Sequence, residues 1–194
     1  MFNWLQPALV LDSVHDITPE LLQQYKLRFL LLDVDSTLKS YRATEIPQET
    51  VRWIETLQDA GIQCCIISNG REPRIRPIAE QIGMPFIAPA MKPLPFGCRK
   101  AIKEMKFDPE ATAIVGDQVF ADILAGKFAK IFTILVTPIH PEEEHWYTRI
   151  KRPFEKLVLK RGNPTDQKFV HMFSPCKGVG IQSADKFAKT PITR

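Results

Sequence analysis

The chain of 194 residues is 44% hydrophobic, yet it has no apolar run approaching the roughly 20 residues that a membrane-spanning helix requires. Its four cysteines, Cys64, Cys65, Cys98 and Cys176, show no CxxC spacing. Two of them are neighbours inside an apolar stretch, so buried reduced thiols are expected rather than a zinc or redox site. Histidine is scarce, with four in the chain, and His140, His145 and His171 stand apart without ligand spacing, which disfavours the softer metals. The opening MFNWLQPALVLDSVHD lacks a basic leader and meets an acid at Asp12. Neither a secretory signal nor an organellar presequence is therefore expected, and the expected compartment is the cytoplasm. No repeat or low-complexity block interrupts the body of the chain. The glycines of KGVGIQS near the end lack the strand-to-helix setting of a nucleotide loop, and no nucleic-acid partner is expected.

Charge is present but uneven. Residues 1–138 carry 15 basic and 16 acidic side chains, whereas 139–194 carry 11 and 6. Within that end, HWYTRIKRPFEKLVLKR (145–161) mixes aromatic and aliphatic residues with six basic groups and one acid. Such a stretch suits either an anionic membrane surface or a helix packed on the domain with its basic side in water. Beyond it the composition turns to Pro, Gly, Ser, Thr and Lys. The organisation expected is one domain over 1–162 and a loosely ordered basic tail over 163–194.

In the body, apolar runs of strand length alternate with helical patterns. Thr18-Pro19 supplies an N-cap and first-turn proline for a short helix. FLLLDVD (29–35) follows as a strand apolar on both faces, hence central. Pro47 opens a helix with Val51, Ile54 and Leu57 at helical spacing and Gly61 as its stop. IQCCIIS, a helix over 72–82, FIAPA, a helix over 94–106, ATAIVGD, the helix QVFADILAGKFA and the strand IFTILVT complete the series. Five parallel strands joined by helices imply an α/β fold, a doubly wound three-layer sandwich that gathers ligands at the carboxyl ends of its strands.

Those ends carry Asp33 and Asp35, then Ser68-Asn69-Gly70, then Lys92, then Asp117 and Asp122. Each has an ordinary structural explanation as a cap, a turn or a solvated charge. Together they crowd several acids on one rim, where only a cation or a proton relieves their repulsion. Mg²⁺ suits hard oxygen ligands, and with it comes phosphoryl chemistry. Asp33 is the expected nucleophile, forming an aspartyl-phosphate. Asp35 is the expected acid and base, a role for which its pKa should be raised by the neighbouring carboxylate and by burial. Thr37, Ser68 and Asn69 are expected to offer donors to phosphate oxygens, with Lys92 as the fixed positive charge.

The ordered set DVDST, SN, KP and GDQVFAD resembles the four motifs of the haloacid dehalogenase superfamily of phosphatases. By position, the resemblance implies that Asp33 is nucleophile and Mg²⁺ ligand and that Asp35 is acid/base with its carbonyl on the metal. It further implies Thr37 as support of that loop, Ser68 and Lys92 as phosphate ligands, and Asp117 as a Mg²⁺ ligand, with Asp122 beside it. Members often carry cap domains between the first and third motifs, and the short spacings here leave no room for one. An open site suits a bulky substrate such as a phosphoprotein, a nucleic acid end or a lipid headgroup.

LLLDVDSTL and VGDQVFADILAGKFAKIFTILVTPI more closely resemble the YqeG-type branch of subfamily IIIA, whose relatives include phosphatidylglycerophosphate phosphatases. That resemblance implies a lipid phosphomonoester at an anionic membrane surface and a peripheral location there. The alternatives are a soluble ester or phosphoprotein substrate, or a catalytically silent binding module. Two departures stand out: Ser36 occupies a place where asparagine is common, and SNGREPR adds arginines whose task is either phosphate contact or solvated charge.

Overall fold

A computed structural model describes residues 3–143. The basic stretch 145–161 and the tail 163–194 lie outside the described residues. The strands are β1 (Leu9–Leu11), β2 (Phe29–Leu32), β3 (Gln63–Ile67), β4 (Phe86–Ile87), β5 (Thr112–Gly116) and β6 (Phe132–Val136). The helices are α1 (Pro19–Gln24), α2 (Gln48–Asp59), α3 (Glu72–Gln81), α4 (Phe96–Met105) and α5 (Leu124–Ala129). All six strands form one parallel sheet in the order β1-β6-β5-β2-β3-β4. The sequence reading has five strands, and the sixth is β1. Three residues are too few to show a period of two; β1 exists because β6 offers a pairing edge, with Leu9 beside Ile134 and Leu11 beside Val136.

The unbroken apolar run of β2 explains its place. It pairs with β3 on one side and β5 on the other. Leu30 and Leu32 join the core layer that contains Ile54 and Leu57 of α2 and Ile75 and Ile78 of α3, whereas Leu31 joins the opposite layer with Cys98, Ala101 and Ala125. A fully buried leucine contributes about 1.5–3 kcal/mol, so both faces of β2 are held by packing. Cys64 and Cys65 alternate across β3 in the same way, one in each layer. Both thiols, and that of Cys98, are free and buried, and burial pushes each up to about 12.

Local chemistry sets the helix ends. The Thr18 hydroxyl accepts from the Leu21 N–H at 3.2 Å, and Pro19 occupies the first turn of α1. Gly61, with φ +81°, ends the segment after α2 in a conformation that other residues resist. The expected helix over 118–129 begins instead with a π-helical turn, Val119–Ile123, before α5. Such wide turns frequently accompany functional sites, and this one contains Asp122. Only turns lie between Asp33 and α2, and only α3 lies between Ser68 and β4, so the described residues include no cap domain.

Candidate active site

Strand register assembles the rim. Leu32 is level with Ile66 of β3 and Val115 of β5, so Asp33 emerges level with Ile67 and Gly116, one residue before Ser68 and Asp117. The Asp33 N–H donates to the Val115 carbonyl at 2.9 Å, which ties the start of the loop to the sheet. The chain then turns tightly: the N–H groups of Thr37, Leu38 and Lys39 converge on the Val34 carbonyl at 3.3, 2.9 and 3.3 Å. Ser36 takes φ +62° to make this turn. Asparagine tolerates that left-handed region better than serine does, so asparagine would suit this turn with less strain.

Asp33, Asp117 and Asp122 are buried, and one carboxylate oxygen from each lies within 4.8 Å of the others. The Lys92 ammonium stands among them. It donates to Asp33 at 2.5 Å, to Asp122 at 2.6 Å and to the Ile67 carbonyl at 3.0 Å. An ammonium has three protons, and all three are used. Burial alone would lower the Lys92 pKa, but Asp122 and Asp33 outweigh it and raise it, so the lysine stays charged. Burial pushes the Asp33 carboxyl up; Lys92 opposes this, Asp122 adds to it, and the outcome is about 7.

Three carboxylates against one ammonium leave an excess of two negative charges, which is the charge of one divalent cation. The donor set is all oxygen, buried and compact, and it fits Mg²⁺. Other groups hold the acids in place. The Thr37 hydroxyl donates to Asp117 at 3.2 Å, and the Gln118 N–H donates to Asp122 at 3.1 Å. Gly116 has no room for a side chain, because a Cβ there would lie 2.2 Å from the Asp122 carboxyl carbon.

Ser68 is buried, and its hydroxyl accepts from the Gly70 N–H at 3.0 Å. Asn69 departs from the expectation of a phosphate contact by its side chain. Its amide donates to the Lys92 carbonyl at 2.8 Å and accepts from the Lys92 N–H at 2.7 Å. The side chain is thereby committed to positioning the lysine's own peptide. Thr37, likewise expected at the substrate, gives its hydroxyl proton to Asp117.

Asp35 differs most from expectation. It is half-buried and outside the acidic cluster, and two cations hold it. Arg74 of α3 donates to both its oxygens, at 2.6 and 2.7 Å, and Lys39 donates at 3.2 Å. Burial raises its pKa, but the Arg74 bonds and the Lys39 charge together outweigh burial and hold the carboxyl below its usual range. The expected rise is corrected to a fall because these cations, not another carboxylate, are its nearest charged neighbours. Lys39 is fully buried and also donates to the Ser40 carbonyl at 3.1 Å. Its only trace in the sequence is the four-residue interval in DSTLK. Arg74 additionally lies over the Tyr41 ring, 5.6 Å from its centroid.

A family model, haloacid dehalogenase-like hydrolase, matches residues 3–130. The chain belongs to the haloacid dehalogenase-like hydrolases. It is 30% identical over 153 residues to the probable phosphatase YqeG of Bacillus subtilis (strain 168), covering 79% of this chain and 88% of that protein. Among solved structures, the 3-deoxy-D-manno-octulosonate 8-phosphate phosphatase of Yersinia pestis superposes with a TM-score of 0.51 at 18% identity, over 62% of this chain and 70% of that one. A hypothetical protein of Xanthomonas campestris gives 0.50 at 13% identity, over 72% and 79%. These likenesses show a shared fold. The protein is a phosphatase of this hydrolase family, and its three buried acids form an oxygen donor set that suits Mg²⁺. No helix among the described residues is long and apolar enough to cross a membrane.

Proposed function

We propose that the protein hydrolyses a phosphomonoester through an aspartyl-phosphate on Asp33, with a phosphatidylglycerophosphate-type lipid as substrate. The observation that carries the chemistry is the Lys92 ammonium bonded at once to Asp33 and Asp122 beside Asp117. Mg²⁺ among the acids would neutralise phosphate charge, with Asp33, Asp117, the Asp35 carbonyl and the adjacent Asp122 as its protein surroundings. An Asp33 oxygen attacks phosphorus in line and the bond to the leaving oxygen breaks, with Asp35 supplying the proton to that oxygen. Asp35 then takes a proton from water, which attacks the acyl phosphate, releases inorganic phosphate and restores Asp33.

In this reading the Ser68 hydroxyl proton meets a phosphate oxygen, and Lys92 does so by exchanging one of its present bonds for the phosphate. Lys39 and Arg74 keep Asp35 ionised before substrate arrives. Of the two, Lys39 is fully buried while Arg74 is two-fifths exposed, so Arg74 is the partner that an anionic substrate can draw away. With Arg74 withdrawn, Asp35 takes up a proton from solvent or from the phosphate monoanion, and it is this proton that it passes to the leaving oxygen. The absence of a cap among the described residues supports a substrate presented from a surface rather than enclosed.

Phosphate release from an aryl phosphate with and without Mg²⁺ tests the chemistry, with Asp33→Asn as the control. Turnover that survives the substitution excludes the nucleophile. Phosphatidylglycerophosphate vesicles compared with a panel of soluble esters test the substrate, and a clear preference for soluble esters excludes the lipid.

A further inference from the structure

The segment 88–96, which carries Lys92 into the site, also exposes three large apolar side chains. Met91, Leu94 and Phe96 are 55%, 44% and 57% exposed, while Lys92 between them is buried. The segment is braced rather than loose. The Ala90 N–H donates to the Ser68 carbonyl at 2.8 Å, the Leu94 N–H closes a turn on the Met91 carbonyl at 2.9 Å, and Asn69 clamps the Lys92 peptide. A Cβ on Gly97 would lie 2.5 Å from the Ala90 carbonyl oxygen, so the start of α4 is pressed onto the same segment. The apolar groups are thus presented on a fixed platform at the carboxyl rim. On the neighbouring strand end, the exposed Arg71 and Arg74 open α3, and β3 and β4 pair directly.

We propose that this rim, with Met91, Leu94 and Phe96 flanked by Arg71 and Arg74, is the surface by which the protein docks on an anionic lipid bilayer. The inference rests on the reading of the site as a phosphatase and deepens its substrate assignment. Apolar side chains that enter the acyl boundary beside cations that meet anionic headgroups form the composition of an interfacial anchor. The occupant also matches the site's layout. In a bilayer, phosphate lies just above the first acyl carbons. Here one short segment carries both the lysine that faces phosphate and the side chains that face hydrocarbon. A soluble ester makes no use of the second feature.

The test uses the full chain and sedimentation with vesicles of phosphatidylcholine alone or enriched in phosphatidylglycerol. The wild type should bind the anionic vesicles, and Leu94→Ser/Phe96→Ser should lower that partition about tenfold or more. Trp4→Ser serves as control, since Trp4 is 52% exposed but packs against Phe128 of α5 rather than belonging to the 88–96 segment; it should leave binding unchanged. Hydrolysis of a soluble aryl phosphate should be the same in both variants and the wild type. Equal vesicle binding by the double variant overturns the docking surface and assigns any affinity to another part of the chain. Loss of a wild-type dimer in the double variant, read by size exclusion, also overturns it by making the patch a contact between copies. Failure of aryl phosphate turnover with intact, Leu94/Phe96-dependent binding sinks the phosphatase reading alone.

Discussion

Replacing Lys92 by methionine removes the one ammonium from a buried group of three acids while keeping most of the side-chain volume. In the wild type that ammonium lies 2.5 Å from Asp33 and 2.6 Å from Asp122. At an effective dielectric near 20, each contact amounts to roughly 6 kcal/mol of attraction. Removing the lysine avoids several kcal/mol of desolvation, so the net loss expected is about 3–5 kcal/mol, the usual result of orphaning a buried charge. With a urea slope of about 2 kcal/mol per molar, the midpoint should fall by roughly 2 M. Asp33, already raised by burial with Lys92 as the leading opposing cause, escapes by holding its proton to still higher pH once the lysine is gone. Stability from such groups is present at low pH and lost as pH increases, and the penalty should be larger near pH 8 than near pH 5. Added Mg²⁺ should recover more stability in the variant than in the wild type, because it replaces the missing charge. Urea titrations at both pH values, with chelator or Mg²⁺, measure all three effects. A loss below about 1 kcal/mol at both pH values, or one that grows toward acid, would refute the electrostatic account of the site.

In chelator, the wild type should itself lose stability as pH rises toward and through about 7, because the Asp33 carboxyl is raised to that value in the fold. The lowered Asp35 acts with opposite sign, contributing above its ordinary range and losing that contribution only as pH falls through its folded value, so it leaves the neutral trend intact. Denaturation midpoints against pH, with and without Mg²⁺, check this, and Mg²⁺ should flatten the curve. Arg74→Ala should move the alkaline limb of kcat/KM to higher pH, since Asp35 then holds its proton longer; an unmoved limb refutes the pairing. Asn69→Ala should cost about 1–2 kcal/mol and lower kcat/KM about tenfold by freeing the Lys92 peptide, as thermal melts and steady-state kinetics would show. Ser36→Asn should stabilise the fold by up to about 1 kcal/mol through relief at φ +62°, readable as a higher melting temperature.

The sequence discloses the sheet best where strands are buried on both faces, because Leu30 to Leu32 and Cys64 to Ile67 leave no reading other than central strands. It discloses least at β1, whose three residues acquire their conformation from β6 rather than from any pattern of their own. The acids and lysine of the rim are legible because they follow strands directly. Partners brought together across the fold are not. Nothing in SNGREPR says that Arg74 will reach back 39 residues in sequence to Asp35, and a lysine written as an ordinary polar residue after Leu38 gives no sign of complete burial. Asn69 illustrates the same limit at shorter range, since a turn residue and a clamp on the next loop are spelled alike.

Asp33, the proposed nucleophile, directly follows the strand gripped on both sides, with Leu32 held between Ile66 and Val115. A slip of one residue there would turn Asp33 toward the wrong layer and at the same time drive leucines out of both cores. Partial disorder of β2 therefore cannot yield a weakened catalyst; a molecule is either assembled and competent or neither. Turnover per milligram should consequently serve as a direct gauge of the natively folded share in any preparation, and variants remote from the rim should dim activity only by thinning that population.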